Sequence, residues 1–583
     1  MTTQKLKRTR LPFLAGVSAS ATAGILALPL ASSLAAPLAA QQSPQTARPN
    51  IVVILADDMG YSDIGCFGGE IATPNIDRLR QSGVAFTQFY NQARCCPTRA
   101  VLMTGRYPHQ VGVGEMIDGY AAKARANANS RSYDDHLSPD SPTMAEVLRS
   151  AGYSTMMAGK WHLGPKPSEW PVKRGFDRSF VQIDGAMNYY GGNSGNGPRA
   201  PMAIDDKKFV PPHDGFYSTD EFASHIIQFM TDAVTQHPEK PFFVYLPFNA
   251  AHWPYMAPMD EIAKYKGKYD AGWQPIRDAR LARLKQLGIV PPDQQMAPMD
   301  TGKIAPWNKL NAAQHAEWSR LMECYAAVIT HMDMDIGKVL ATLDKLGVAD
   351  NTIVLFLQDN GAADEDPNKS EKGSIMGDRD SFRGYDTPWA TVSNTPWRRH
   401  KTTCYEGGAS TPLLVRWPAG IPADKVGAYV RTPAHIIDLL PTFVALSGAT
   451  YPTTDKLKLE GQDITAMLKG NAGPTDRALF WEHEGYRAVR DGKWKLISVP
   501  PRITDPAKPG KDIKTVTGPW ELYDEETDRI EQHDLAAQNP DIVKKLAAEY
   551  NAWAARCGVI EFSKIAPEGK AGGKAGKSKK GKN

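Results

Sequence analysis

The sequence predicts a doubly wound α/β domain followed by a smaller antiparallel α+β subdomain, and three observations carry that expectation. Unbroken apolar runs at residues 50–56, 152–158, 241–246 and 352–357 read as strands buried on both faces, as in a parallel sheet covered by helices. Helical patterns at residues 74–81, 143–150, 220–234 and 318–346 separate the runs, the last ending at Gly347. After about residue 445 the pattern shifts to short strand-like pieces at 479–483, 486–489, 494–499 and 520–523, closed by a helical stretch at 541–556.

The chain start has a different character. Lys5, Lys7, Arg8 and Arg10 precede an apolar, alanine-rich run to about Leu30, with small-residue cleavage positions after Ala35 and Ala40. This is the pattern of a secretory signal over residues 1–40, and polar and small residues interrupt the run too often for an anchor. No later segment is apolar for long enough to span a bilayer, so stable membrane insertion is not expected and the protein is expected to be periplasmic or secreted. Residues 41–48 form a polar linker, 49–445 the large domain, 446–562 the small subdomain, and 563–583 a Lys/Gly-rich tail expected to be disordered. Between Pro254 and Trp318 lies a polar, partly helical insertion with little core signal, suited to a lid or a cleft wall.

At 583 residues and 42% hydrophobic content the chain can bury a large core. Removing the four basic residues of the signal from the 68 in the chain leaves 64 against 64 acidic residues. Six of those 64 lysines and arginines sit within residues 566–583, so the body has no basic excess and a nucleic-acid partner is not expected. Six cysteines are few for an exported protein of this size, and disulfides do not define the fold.

Each long apolar run leads into residues capable of chemistry. Asp57-Asp58 follow the first, Gly159-Lys160-Trp161-His162 the second, His252-Trp253-Pro254 the third, and Gln358-Asp359-Asn360-Gly361 the fourth. In open α/β sheets the ligand crevice lies beyond the carboxyl ends of the strands, which brings such residues together. Asp57, Asp58, Asp359 and Asn360 offer only oxygen donors, a set that selects Ca²⁺ or Mg²⁺ over zinc, with the mix of carboxylate and amide favouring Ca²⁺. Lys160 and His162, two apart, project to the same side of an extended chain, a cation beside a proton acceptor. Lys401 precedes Tyr405-Glu406-Gly407-Gly408, whose glycine pair suits a tight turn.

Cys95-Cys96-Pro97-Thr98-Arg99 is the most specific segment. Pro97 fits a first helical position, Thr98 to Thr104 can form two turns, and Gly105 is placed to end them. Position 95 then lies at a helix N-terminus, where unpaired N–H groups favour negative charge, and Arg99 can reach back toward it along one face. A phosphatase-type thiolate loop needs arginine six residues after the nucleophile, where Val101 and Leu102 stand instead. Two buried thiols or a vicinal disulfide remain the alternative reading of the segment alone.

Taken together, these motifs resemble those of the formylglycine-dependent sulfatases of the alkaline phosphatase superfamily, most like bacterial arylsulfatases. The resemblance runs from about Pro49 to Gly558. It rests on residues 56–65, the cysteine segment with Thr104-Gly105-Arg106, residues 159–164, Gln358 to Gly361, Ser393-Asn394-Thr395-Pro396 leading to Lys401, and residues 405–408, 487–495 and 521–524. It implies a mixed sheet of alkaline-phosphatase-like type, and Ca²⁺ held by Asp57, Asp58, Asp359 and Asn360. It further implies that Cys95 is the residue converted to formylglycine by a formylglycine-generating enzyme. Arg99 would hold the aldehyde hydrate, Lys160 and His162 would contact it, and His252 with Lys401 would bind the sulfate and leaving oxygen of a small-molecule sulfate ester. Met187 to Tyr190, Trp253, Trp397 and His483 are candidates for the leaving-group pocket.

Overall fold

The computed structural model describes residues 48–117, 129–191, 201–454, 458–474, 476–500 and 518–565. The expected signal at 1–40, the linker up to residue 47 and the tail from residue 566 lie outside them.

Eleven strands form one sheet among the described residues: β1 Asn50–Ala56, β2 Val84–Tyr90, β3 Ser154–Lys160, β4 Arg178–Gln182, β5 Met202–Ile204, β6 Lys207–Phe209, β7 Phe242–Pro247, β8 Thr352–Gln358, β9 Ser410–Arg416, β10 Tyr429–Val430 and β11 Ala434–His435. Their order is β10-β2-β9-β8-β1-β7-β3-β4-β5-β6, with β11 also paired to β2. The four long apolar runs of the sequence are therefore four adjacent strands, β8, β1, β7 and β3, and they are mutually parallel. Antiparallel β9 between β8 and β2 makes the sheet mixed.

Alternation along β1 explains why its run is unbroken. Val52, Ile54 and Ala56 enter one core, while Ile51, Val53 and Leu55 enter the opposite one. The helices Ser218–Gln236 and Ala312–Lys345 cover the first face; Cys95–Thr104, Met144–Ser150 and Leu439–Ser447 cover the second. The long helix begins earlier than periodicity predicts, because its polar first turn is set by the Asn311 side chain accepting from the Gln314 N–H at 3.0 Å, a capping device without an apolar signal.

The insertion departs from expectation. Tyr265, Tyr269, Trp273 and Leu284 are buried in the first core, so the segment between Pro254 and Trp318 contributes to that core. Arg280, on the helix Trp273–Gln286, reaches Asp63 at 2.6 Å and Glu70 at 2.8 Å. Widely spaced aromatic residues and a buried arginine do not register as an apolar face, which is why the sequence signal was weak.

The late strands are β12 Ala478–His483, β13 Tyr486–Asp491, β14 Trp494–Ser498 and β15 Trp520–Asp524, an antiparallel sheet in that order. The helix Pro540–Cys557 packs on it through Tyr550 and Trp553, and Val489, Leu496 and Leu522 join the same core as the helix Cys95–Thr104. Trp553 stacks on Phe480 with centroids 5.1 Å apart and meets Tyr107 edge-on at 5.0 Å. No disulfide joins any of the six cysteines among the described residues, so Cys95 and Cys96 form no vicinal disulfide.

Candidate active site

Parallel packing of β1, β3, β7 and β8 brings their carboxyl ends to one edge of the sheet, where the polar residues of the sequence collect. Asp57 and Asp58 follow β1, Lys160 ends β3, His252 lies five residues past β7, and Asp359-Asn360 follow β8. Asp58 adopts φ 58°, in the left-handed region that aspartate tolerates better than most residues. Gly159, at φ 134°, packs so closely on β7 that a Cβ there would lie 1.9 Å from the Pro247 carbonyl oxygen. No other residue lets Lys160 approach at this spacing.

Ion pairs knit the cluster. Lys160 Nζ stands 2.6 Å from Asp57 Oδ2, and Lys401 Nζ 2.7 Å from Asp58 Oδ2. Arg99 donates through Nε and Nη2 to Asp359 Oδ2 at 3.0 and 2.7 Å and lies 3.5 Å from Asp57 Oδ2. His252 Nε2 is 3.4 Å from Asp58 Oδ2, while its Nδ1 sits 2.6 Å from the Trp253 carbonyl oxygen. Asn360 donates through Nδ2 to Asp58 Oδ1 at 2.6 Å. Burial alone would raise the Asp58 carboxyl, but Lys401, His252 and Lys160 outweigh it and hold the group well below the usual carboxylate range. Burial, and then Asp57, lift Asp359 to about 6 against the pull of Arg99 and Lys160. His252 is pushed down to about 4 by burial, in spite of Asp58. Burial opposes charge on Lys401 too, yet Asp58 leads a set of anions that keeps it well above the ordinary lysine range.

The two adjacent thiols diverge. Cys95 Sγ lies 3.8 Å from Asp58 Oδ1, inside the cluster, whereas Cys96 Sγ lies 3.4 Å from Met116 Sδ in the apolar core. The helix begins at Cys95 itself with Arg94 as its N-cap, so Pro97 occupies the third position rather than the expected first; Gly105 ends it at φ 61°. Burial pushes the Cys95 thiol up to about 12, with Lys401 and Lys160 opposing, so an unmodified side chain here is a neutral thiol at ordinary pH.

Arg99 is anchored by Asp359 and the Lys160 carbonyl (3.0 Å) across the sheet end, and stays close enough to Cys95 for the two groups to interact electrostatically. One further sequence expectation is corrected. The extended geometry assumed for Lys160 and His162 stops at Lys160: Trp161 and His162 bond through their N–H groups to the Gln182 and Ile183 carbonyls, and His162 is buried at φ 53°. Among the pocket candidates, Trp397 is buried against Tyr61 and Arg529, and the Tyr189 hydroxyl donates to the Asn249 and His252 carbonyls. Trp253 lies beside His252, with ring centroids 4.6 Å apart. Sequence reasoning missed Arg94 and Glu365, which flank Cys95 and Lys401; Glu365 stands in the polar stretch after Gly361, the signal that pointed to it.

The donor set fits a hard cation. Oδ1 of Asp57 and Oδ1 of Asn360 are buried and lack hydrogen-bond partners, two oxygens on neighbouring strands left without a donor. Ligating atoms of Asp57, Asp58, Cys95 and His252 all lie within 4.8 Å of one another.

A family model described as Sulfatase matches residues 49–449. An uncharacterised sulfatase of Schizosaccharomyces pombe is 33% identical over 547 residues, covering 88% of this chain and 95% of its own. An arylsulfatase of Klebsiella aerogenes is 35% identical over 422 residues, covering 69% and 88%. Among solved structures, Ps i-CgsB superposes with a TM-score of 0.62 at 24% identity, covering 89% of this chain and 99% of its own. Its likeness shows the fold. No described helix is long and apolar enough to cross a membrane. With the family match spanning the whole large sheet and a relative matched almost end to end, the chain belongs to the sulfatase family of the alkaline phosphatase superfamily, enzymes that hydrolyse sulfate esters.

Proposed function

We propose that the protein is an exported, arylsulfatase-type hydrolase of sulfate monoesters that uses formylglycine at position 95 and one bound Ca²⁺. One observation carries this reading: the Cys95 side chain, at the first turn of its helix, enters a buried ring of three carboxylates and three cations, Asp57, Asp58, Asp359, Arg99, Lys160 and Lys401. Those charges balance, so a divalent cation leaves the pocket net positive toward a sulfate ester.

Asp57, Asp58, Asp359 and Asn360 would hold the Ca²⁺, which supplies Lewis-acid polarisation of sulfuryl oxygens. The aldehyde, as its hydrate, supplies two hydroxyls on one carbon, one to attack sulfur and one through which sulfate is released. Arg99 fixes Asp359, and Lys160 fixes Asp57, so that the carboxylates keep one orientation. Asp359, in the same buried ring, serves as the base for the incoming nucleophile, and its raised affinity for a proton suits that role. Lys401 places positive charge beside the leaving oxygen, and His252, braced by the Trp253 carbonyl, presents Nε2 to the same space. His162 takes the proton of the second hydroxyl. The N-terminal basic and apolar pattern of residues 1–40 supports export, and the cysteine segment supports maturation by a formylglycine-generating enzyme.

Mass spectrometry of the peptide carrying position 95, in protein from its native host, tests the modification: aldehyde in place of thiol is expected, and a fully active protein retaining the thiol sinks the reading. Hydrolysis of an aryl sulfate compared with an aryl phosphonate tests the substrate class, with the sulfate expected to react faster.

A further inference from the structure

Exposure rises in one direction away from the catalytic cluster. Side chains go from 0% at Asp58 and 3% at Lys401 to 15% at Arg94, 28% at Glu484 and 36% at Glu365. These three residues are the exposed side of the cluster's contacts, the side from which substrate would enter. Glu365 lies 3.8 Å from Lys401 Nζ and 3.6 Å from Arg94 Nη1, and Glu484 lies 4.0 Å from Arg94 Nη2, so a carboxylate stands on each side of the guanidinium. The arginine is already engaged, since Nη1 also donates to Thr402 Oγ1 at 2.7 Å. Behind Glu484, His483 Nε2 is 3.4 Å from both Glu484 and Glu115. His483 and Glu115 pair with each other behind the entrance, so Arg94 faces Glu365 and Glu484, two carboxylates against one guanidinium.

On the same side, the half-buried Trp253 indole donates to Glu365 Oε2 at 2.6 Å and packs edge-on to Phe382 at 5.8 Å, next to His252. An alcohol leaving toward His252 thus meets an aromatic wall and two carboxylates. We propose that Glu365 and Glu484 act as an acidic gate, selecting sulfate monoesters whose alcohol carries no second anionic group, with uncharged phenols the favoured class. Discrimination here works by repulsion of the wrong substrate rather than by added attraction to the right one. This inference rests on the sulfatase reading above.

The test uses enzyme carrying the aldehyde at position 95 and two near-isosteric esters, 3-carboxamidophenyl sulfate and 3-carboxyphenyl sulfate. In the natural chain, kcat/KM for the carboxamide should exceed that for the carboxylate by roughly tenfold at low salt, narrowing as salt screens the gate. Glu484→Gln and Glu365→Gln should each move the ratio toward one, chiefly by lowering KM for the carboxylate. Because both esters meet the same Lys401, the ratio cancels any effect of Glu365→Gln on that lysine. A ratio near one in the natural chain, or a ratio unmoved by both substitutions while both esters are hydrolysed, overturns the gate. Hydrolysis of neither ester overturns the sulfatase reading, and the gate with it.

Discussion

Lys401 and Asp58, 343 residues apart in the chain, meet at 2.7 Å with both side chains buried. The loop that delivers the lysine is held from behind: a Cβ on Gly408 would lie 2.0 Å from the Thr403 carbonyl oxygen, and the Lys401 N–H donates to the Ala362 carbonyl at 3.0 Å. Replacing Lys401 by alanine removes a preorganised cation beside the leaving oxygen. We expect kcat to fall by about 10²–10³ with the fold retained by circular dichroism. Unchanged turnover would remove Lys401 from the reaction.

Cation binding should be visible without turnover. If Asp57 and Asn360 lend their unpartnered oxygens to Ca²⁺, saturating calcium should raise thermal stability, by about 2.7 kcal/mol at a hundredfold excess over Kd, and a chelator should reverse the gain. Asn360→Ala should lose most of that increment. An equal calcium response in the variant and the natural chain argues against Asn360 as a ligand.

The pH dependence of stability has a specific contributor outside the catalytic cluster. His331 Nδ1 lies 2.9 Å from Glu261 Oε2, and its Nε2 3.3 Å from Asp220 Oδ2. Burial works against its charge, but these two carboxylates prevail and raise it from 6.5 to about 9. A histidine whose folded-state pKa is raised contributes stability that is complete below pH 6.5 and lost as pH climbs through about 9. The contribution is on the order of 2–3 kcal/mol. Subtracting the denaturation profile of His331→Gln from that of the natural chain should give a difference that shrinks between these limits. A difference independent of pH would refute the assignment.

Lys495 anchors the small sheet to the large one. Its Nζ lies 2.8 Å from both Glu406 Oε1 and Glu531 Oε1 and 4.0 Å from Glu525, all fully buried. Lys495→Met leaves this acidic group without its central cation and should cost about 3–5 kcal/mol in urea denaturation. A loss under about 1 kcal/mol would mean that protonation of the glutamates compensates.

By itself, the sequence determined the class of fold, the strands whose ends carry chemistry, and the segment around Cys95. Periodicity, turn residues and helix-end preferences act over a few residues, so they can be read from a few residues. The tertiary structure alone decided that β8, β1, β7 and β3 are neighbours, that Arg99 pairs with Asp359, and that Arg94, Glu365 and Glu484 share the entrance. It also turned the insertion after Pro254 into core. These pairings join residues tens to hundreds of positions apart, and their energies depend on distance and burial, quantities that exist only once the sheet has set which strand ends lie side by side.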